Sequence, residues 1–152
     1  MLNTYFGDIT SGRLQRLPFI GYIVLLHVLF VVLVLAGAAS LGVVENLVGD
    51  DLTHTQQMLA EKIGLPTIII IGIVIAAVFF ATLNLEAKRI RDMGLPGWWT
   101  LLAIWIISVI LIALLAGLVN PELGNYTSSI ISAIAFLALI VIPSDTFSMS
   151  DD

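Results

Sequence analysis

Five basic side chains and one acid hold most of the recognition chemistry in this chain. Arg13 and Arg16 stand three residues apart. Lys88, Arg89 and Arg91 crowd together ahead of Asp92, and Trp98-Trp99 follow. A guanidinium is a planar fork of donors that matches phosphate or carboxylate bidentately, and indole rings anchor where hydrocarbon meets water. Arg13, Arg16, Lys88, Arg89, Arg91, Trp98 and Trp99 are therefore the candidate lipid- or partner-binding residues. Asp92, Gly94 and Gly97 form a candidate structural lock for the loop. An acid in a basic, glycine-terminated turn is expected to pair with Arg13 or Arg16 and tie the loop to the N-terminal segment. On that reading Asp92→Ala lowers thermal stability more than Asp145→Ala.

Other chemistries are poorly supplied. The chain has no cysteine, which excludes disulfides, thiolate metal sites and cysteine nucleophiles. There is no P-loop and no spacing that points to a Ser-His-Asp arrangement, and His27 and His54 are too few for a metal site. No catalytic residue, metal ligand or cofactor is expected. His27 lies within an apolar run and reads as a neutral imidazole hydrogen-bonded to a neighbouring helix. A bis-histidine haem would need a second histidine at that depth, and His54 falls in a loop. No Asp or Glu lies within an apolar run, which argues against an ion-coupled transporter.

The elements that position these residues follow from composition. The 152 residues are 59% hydrophobic and 11% charged, against about 25% charged in a soluble domain, and mean hydropathy is +1.08. Lipid must be the solvent for much of the surface. Continuous apolar runs of about 20 residues span a bilayer as helices, whereas a barrel would alternate. The expected fold is an all-α membrane protein with four transmembrane helices in a bundle. Residues 1–17 form a cytoplasmic or interfacial segment and 18–143 the membrane domain. TM1 covers 18–44, TM2 66–93 including a cytoplasmic extension, TM3 98–119 and TM4 127–142, and 144–152 are a mobile cytoplasmic tail. The small residues Ala36 to Ser40 also suit a signal-peptide cleavage site. The apolar run before them exceeds a signal's core and continues to Val44, which favours a retained span.

Finer expectations concern the ends of these elements. Pro18 suits a first helical turn, and Arg13 and Arg16 would share a helix face. Between TM1 and TM2, Asp51 to Gly64 reads as a short amphipathic helix on the outer surface. Asn84, Lys88 and Arg91 share one face at i, i+4 and i+7, and Glu86 with Arg89 and Lys88 with Asp92 are helix-spaced pairs. Gly94 is placed to stop the helix in a left-handed conformation, with Pro96 blocking its resumption. Residues Asn120 to Tyr126 read as a turn. Small residues such as Gly37 and Gly72 are expected to let helices approach closely, within one bundle or between two copies, the first being favoured.

Lys and Arg near helix ends mark the cytoplasmic side. Five of the six lie before TM1 or after TM2, and Lys62 alone lies opposite, giving N- and C-termini inside. Two segments also resemble a known family. Gly12-Arg13-Leu14-x-Arg16-x-x-Phe19, paired with Ala87-Lys88-Arg89-Ile90-Arg91-Asp92-Met93-Gly94-x-x-Gly97-Trp98-Trp99, is similar to the bacterial inner-membrane proteins of domain of unknown function 805, the YhaH-like proteins. The pattern departs at Lys88, where arginine is usual, at Pro96, where serine is usual, and at Pro18-Phe19, where an aromatic pair is usual. The resemblance implies four helices and a multi-pass bacterial inner-membrane location, and supplies no activity.

Scarce reactive groups and abundant lipid-facing surface point to a non-enzymatic accessory or scaffold subunit of a larger membrane complex. Its basic-aromatic cytoplasmic surface would contact anionic lipid headgroups or a partner. A membrane-protein partner or a homo-oligomer is expected, and nucleic acid is not, because five bases beside acidic tails make a poor phosphate track. The alternative is an oligomeric transporter of a small molecule or lipid, for which Ser108, Ser129, Ser132 and His27 are the polar material.

Overall fold

The computed structural model describes residues 2–40, 64–118 and 121–148. The expected outer-surface helix, the far end of TM1 and His54 lie outside the described residues. Five helices occur among those described: α1 Leu2–Phe6, α2 Arg16–Ser40, α3 Leu65–Asp92, α4 Gly97–Leu118 and α5 Pro121–Val141. The fold is all-α, and α2, α3 and α4 are each long and apolar enough to cross a membrane. In α5 the apolar stretch is the shorter Tyr126–Val141.

Helix ends follow local chemistry. Pro18 falls in the first turn of α2, where a missing N–H leaves no hydrogen bond unmade, and Phe19 N opens the ladder by donating to Gln15 O at 2.9 Å. Arg13 lies ahead of that helix, so it does not share a helical face with Arg16. At the far end of α3, Gly94 has φ +97°, the left-handed stop its position requires. The expected turn at Asn120 to Tyr126 is corrected, since α5 is already helical from Pro121. Proline suits a first helical residue because that N–H has no partner inside the helix. At the N-terminus, the five-residue α1 buries Tyr5.

Two compact units are formed, Met1–Tyr22 with Leu83–Asp152, and Ile23–Thr82. Nearly all the described residues of the second are helical, their apolar side chains mostly exposed, including Val32, Ile73 and Phe79, with Ile23 and Ala81 buried. A side chain added at Gly37 or Gly72 meets nothing within 4 Å, so among the described residues no other helix packs closely at these glycines. The first unit holds Tyr5, Leu14, Phe19, Leu85, Ala87, Ile90, Met93 and Leu139 in its core. There α4 packs along α5, and the rings of Phe19 and Phe136 meet at 6.5 Å.

Candidate functional site, a polar knot at the end of α3

The last turns of α3 are the most charged part of the chain and, among the described residues, also the most buried. Asn84 and Arg89 are fully buried, Lys88 is 3% exposed and Asp92 6%. A buried charge is tolerated only when paired or hydrogen-bonded, and each of these groups has such partners.

One face of the helix serves the N-terminal segment. Asn84 Nδ2 donates to Tyr5 O at 2.8 Å and Gly7 O at 3.1 Å, and Lys88 Nζ donates to Thr4 O at 2.8 Å. These carbonyls lie at the C-terminal end of α1, where no further helical N–H can reach them and where positive charge is favoured. One turn on, Arg91 Nε donates to Gly12 O and a terminal nitrogen to Ile9 O, both at 2.8 Å. Trp98 Nε1 joins from α4, donating to Ile9 O at 2.7 Å. The spacing at 84, 88 and 91 puts all three donors on the side that faces residues 4–12. Asn84 Oδ1 is buried and has no hydrogen-bond partner among the described residues.

A second face serves the C-terminal segment. Arg89 donates from Nε to Leu139 O at 2.8 Å, and its other two nitrogens reach the carbonyl of Ile142 and the carboxylate of Asp92. The guanidinium thus caps the end of α5, whose last carbonyls lack helical partners. Asp92 also accepts from Ser144 Oγ at 2.6 Å.

The expected pairing of Asp92 with Arg13 or Arg16 is therefore corrected. Arg89 is one helical turn away and already held by α5, so it takes the carboxylate, and Asp92 ties the loop to residues 142–145. Arg13 pairs with Asp145 at 3.0 Å instead, and both side chains are more than half exposed. The spacing-based pair of Lys88 with Asp92 gives way likewise, because Arg89 holds Asp92 and Lys88 reaches Thr4.

The residues after Pro143 are also corrected from a mobile tail, as far as Ser148. Asp145 N donates to Asp92 O at 2.7 Å and Phe147 N to Met93 O at 2.9 Å, laying this strap across the α3–α4 turn. Gly94 permits the crossing, since a Cβ there would strike the backbone nitrogen of Ser148. Gly97 has the same role against α3, where a Cβ would strike the carbonyl oxygen of Ala87. The position of Gly94 after the helix was readable in advance. What crosses it was not, because the contact is with main chain fifty residues away.

Tyr5 completes the knot. Its hydroxyl donates to Tyr22 O at 3.0 Å, and the two rings meet edge to face at 5.6 Å. Burial, and then the neighbouring Tyr22, hold its pKa above the ordinary phenol range, so it remains a neutral donor. Of the seven candidate binding residues, Lys88 and Arg89 are enclosed, while Arg91 and Trp98 are partly covered and hydrogen-bonded to the N-terminal segment. Arg13, Arg16 and Trp99 are exposed.

Three polar groups in the apolar helices bond within their own helix. Ser108 Oγ donates to Ile104 O at 2.7 Å and Thr82 Oγ1 to Val78 O at 2.9 Å. His27 Nδ1 lies 2.7 Å from Ile23 O and must carry the proton there, because a carbonyl only accepts. That corrects the expectation of a neighbouring-helix partner for His27. Among the described residues, no three His, Cys, Asp or Glu side chains are placed to hold a metal ion.

The family model described as "Protein of unknown function (DUF805)" matches residues 9–148, an interval that contains most of the knot. No curated protein and no solved structure matches the chain.

Proposed function

The chain belongs to the DUF805 family of proteins of unknown function, and from that premise we propose that it is a non-enzymatic accessory or scaffold subunit of a larger membrane complex. It sits in a bacterial inner membrane through four helices, α2 to α5, with both termini in the cytoplasm. The asymmetry of Lys and Arg supports that orientation, and the shorter apolar stretch Tyr126–Val141 would be the fourth crossing.

The observation that carries this reading is the use made of the polar groups. Asn84, Lys88, Arg89, Arg91 and Trp98 donate to carbonyls of the chain's own terminal segments. Groups bound in this way hold a shape. That suits a platform whose outer residues Arg13, Arg16 and Trp99 meet anionic headgroups or a partner. The apolar helix faces supply the area through which a second membrane protein, or a second copy, would dock. Transport would call for polar groups facing a cavity near the midplane, whereas Ser108, Thr82 and His27 each bond one turn back in their own helix.

Gentle extraction from the native membrane followed by native mass spectrometry tests the proposal. A stoichiometric complex with one defined partner, recovered again when that partner carries the tag, is the expected result. A lone monomer overturns it.

A further inference from the structure

An open groove of about 520 Å³ lies between the start of α2 and the end of α5, lined by Gln15, Arg16, Leu17, Ile20, Ile140 and Ser144. We propose that this groove is a binding site for a single anionic phospholipid, with the headgroup phosphate on the Arg16 guanidinium and the upper acyl chain along Leu17, Ile20 and Ile140. The inference deepens the reading of an exposed basic surface, since it assigns one residue and one ligand to it.

Arg16 differs from the other arginines. Arg89 has Asp92, Arg13 has Asp145, and Arg91 makes two hydrogen bonds of 2.8 Å. The hydrogen bond of Arg16 is to Val141 O, at the outer limit of 3.5 Å. Among the described residues, no carboxylate lies within 4.0 Å of it. An anion on Arg16 fills the guanidinium fork.

The groove is lined by polar side chains, Gln15, Arg16 and Ser144, and by apolar ones, Leu17, Ile20 and Ile140, a mixture that suits a phospholipid rather than free phosphate. Arg16 is also the first residue of a helix whose following residues are apolar enough to cross a membrane, the depth at which headgroups lie. Gln15 brings a second donor. Ser144 does not, because its hydroxyl proton is directed to Asp92.

The test uses the purified full-length protein in detergent, offered dioleoyl phosphatidylglycerol and dioleoyl phosphatidylcholine at equal concentration, with bound lipid counted by native mass spectrometry. One phosphatidylglycerol should be retained preferentially, and Arg16→Ala should reduce that preference about fivefold, the value of one basic residue beside anionic lipid. Arg13→Ala should leave it nearly unchanged, and Ile140→Trp, which fills the apolar wall, should reduce it while Arg16 remains in place. Excess inorganic phosphate should not compete. Equal losses in Arg13→Ala and Arg16→Ala, displacement by phosphate, or no preference in the wild type each overturn the site. If Arg16→Ala proves unfolded, Arg16→Gln and Ile140→Trp decide the matter. A monomer that shows the preference overturns only the scaffold reading, and a stable complex without it overturns only this one.

Discussion

Two stretches of α3 have the same backbone and opposite surroundings. Between Ile68 and Phe80 the helix exposes its apolar side chains, with Ile73 63% and Phe79 64% exposed, whereas between Asn84 and Met93 it buries an amide, two cations and an acid. In water this would be an inverted protein. The inversion makes sense when the solvent changes along the helix. Lipid tails are as apolar as the side chains, so the hydrophobic effect gives the first stretch little reason to pack. At the membrane boundary a stable arrangement has to come from directional bonds. The C-terminal ends of α1 and α5 present carbonyls with no helical partner, and the end of α3 presents donors to meet them.

The comparison is tested most severely at Arg89. Arg89→Ala leaves Asp92 buried without its cation and uncaps the end of α5, so a loss of about 3–5 kcal/mol is expected, as for a broken buried ion pair. In practice the variant should fail to survive extraction as a monodisperse species in size-exclusion chromatography. Arg89→Lys should recover only part of the loss, because one ammonium cannot span the carbonyls of Leu139 and Ile142 as well as the carboxylate. A variant as stable as the wild type would show that the bonds at this end of α3 are incidental.

Asp92 and Asp145 come next, as two acids within one knot. Asp92→Ala should cost about 3 kcal/mol, because Arg89 stays buried and unpaired. Asp145→Ala removes an exposed pair with Arg13 worth about 0.2–1 kcal/mol. The reading from sequence gave the same order, but for a different reason, since it paired Asp92 with Arg13 or Arg16. Doubly substituted cycles in a thermal-shift assay separate the two accounts. Strong coupling of Asp92 to Arg89 and none to Arg13 is expected.

Gly94→Ala is a purely steric probe of the same region. It meets both a left-handed backbone and the crossing of residues 147–148, so a loss of about 1–3 kcal/mol is expected, the range for enforced backbone strain. Limited proteolysis should release the C-terminal segment faster in this variant than in the wild type. If the thermal midpoint falls while the C-terminal segment stays protected, the strap does not depend on Gly94.

What the sequence disclosed follows from the same contrast. Hydropathy marks where the solvent is lipid, so α3 and α4 were placed within a residue or two. The start of α5 was missed because its first residues, Pro121 to Asn125, are helical without being strongly apolar. The basic cluster was found, and the shared face of Asn84, Lys88 and Arg91 with it. Its partners were not, because they are main-chain carbonyls at residues 4–12 and 139–142, and a carbonyl carries no mark of residue type. Side-chain charges were therefore paired with other side chains, Arg13 among them. Lys88 and Arg89 were read as surface because lysine and arginine are almost never fully buried unless paired.

The smallest expected effect lies in the apolar stretch. Ile73→Ala removes a side chain that is 63% exposed and leaves no internal cavity, so it should change stability in detergent by no more than about 0.5 kcal/mol, as for substitutions away from structural features. Ile90→Ala, seventeen residues further along α3 and 1% exposed, should cost about 2–5 kcal/mol as an ordinary buried deletion. The pair keeps the chemistry of the change fixed and varies only the surroundings. Repeated in the native membrane, the experiment also bears on partners. If Ile73→Ala is silent in detergent but lowers the yield of an intact complex, the face around Ile73 is covered by another protein. If it is silent in both, lipid covers that face and the docking surface lies on another helix.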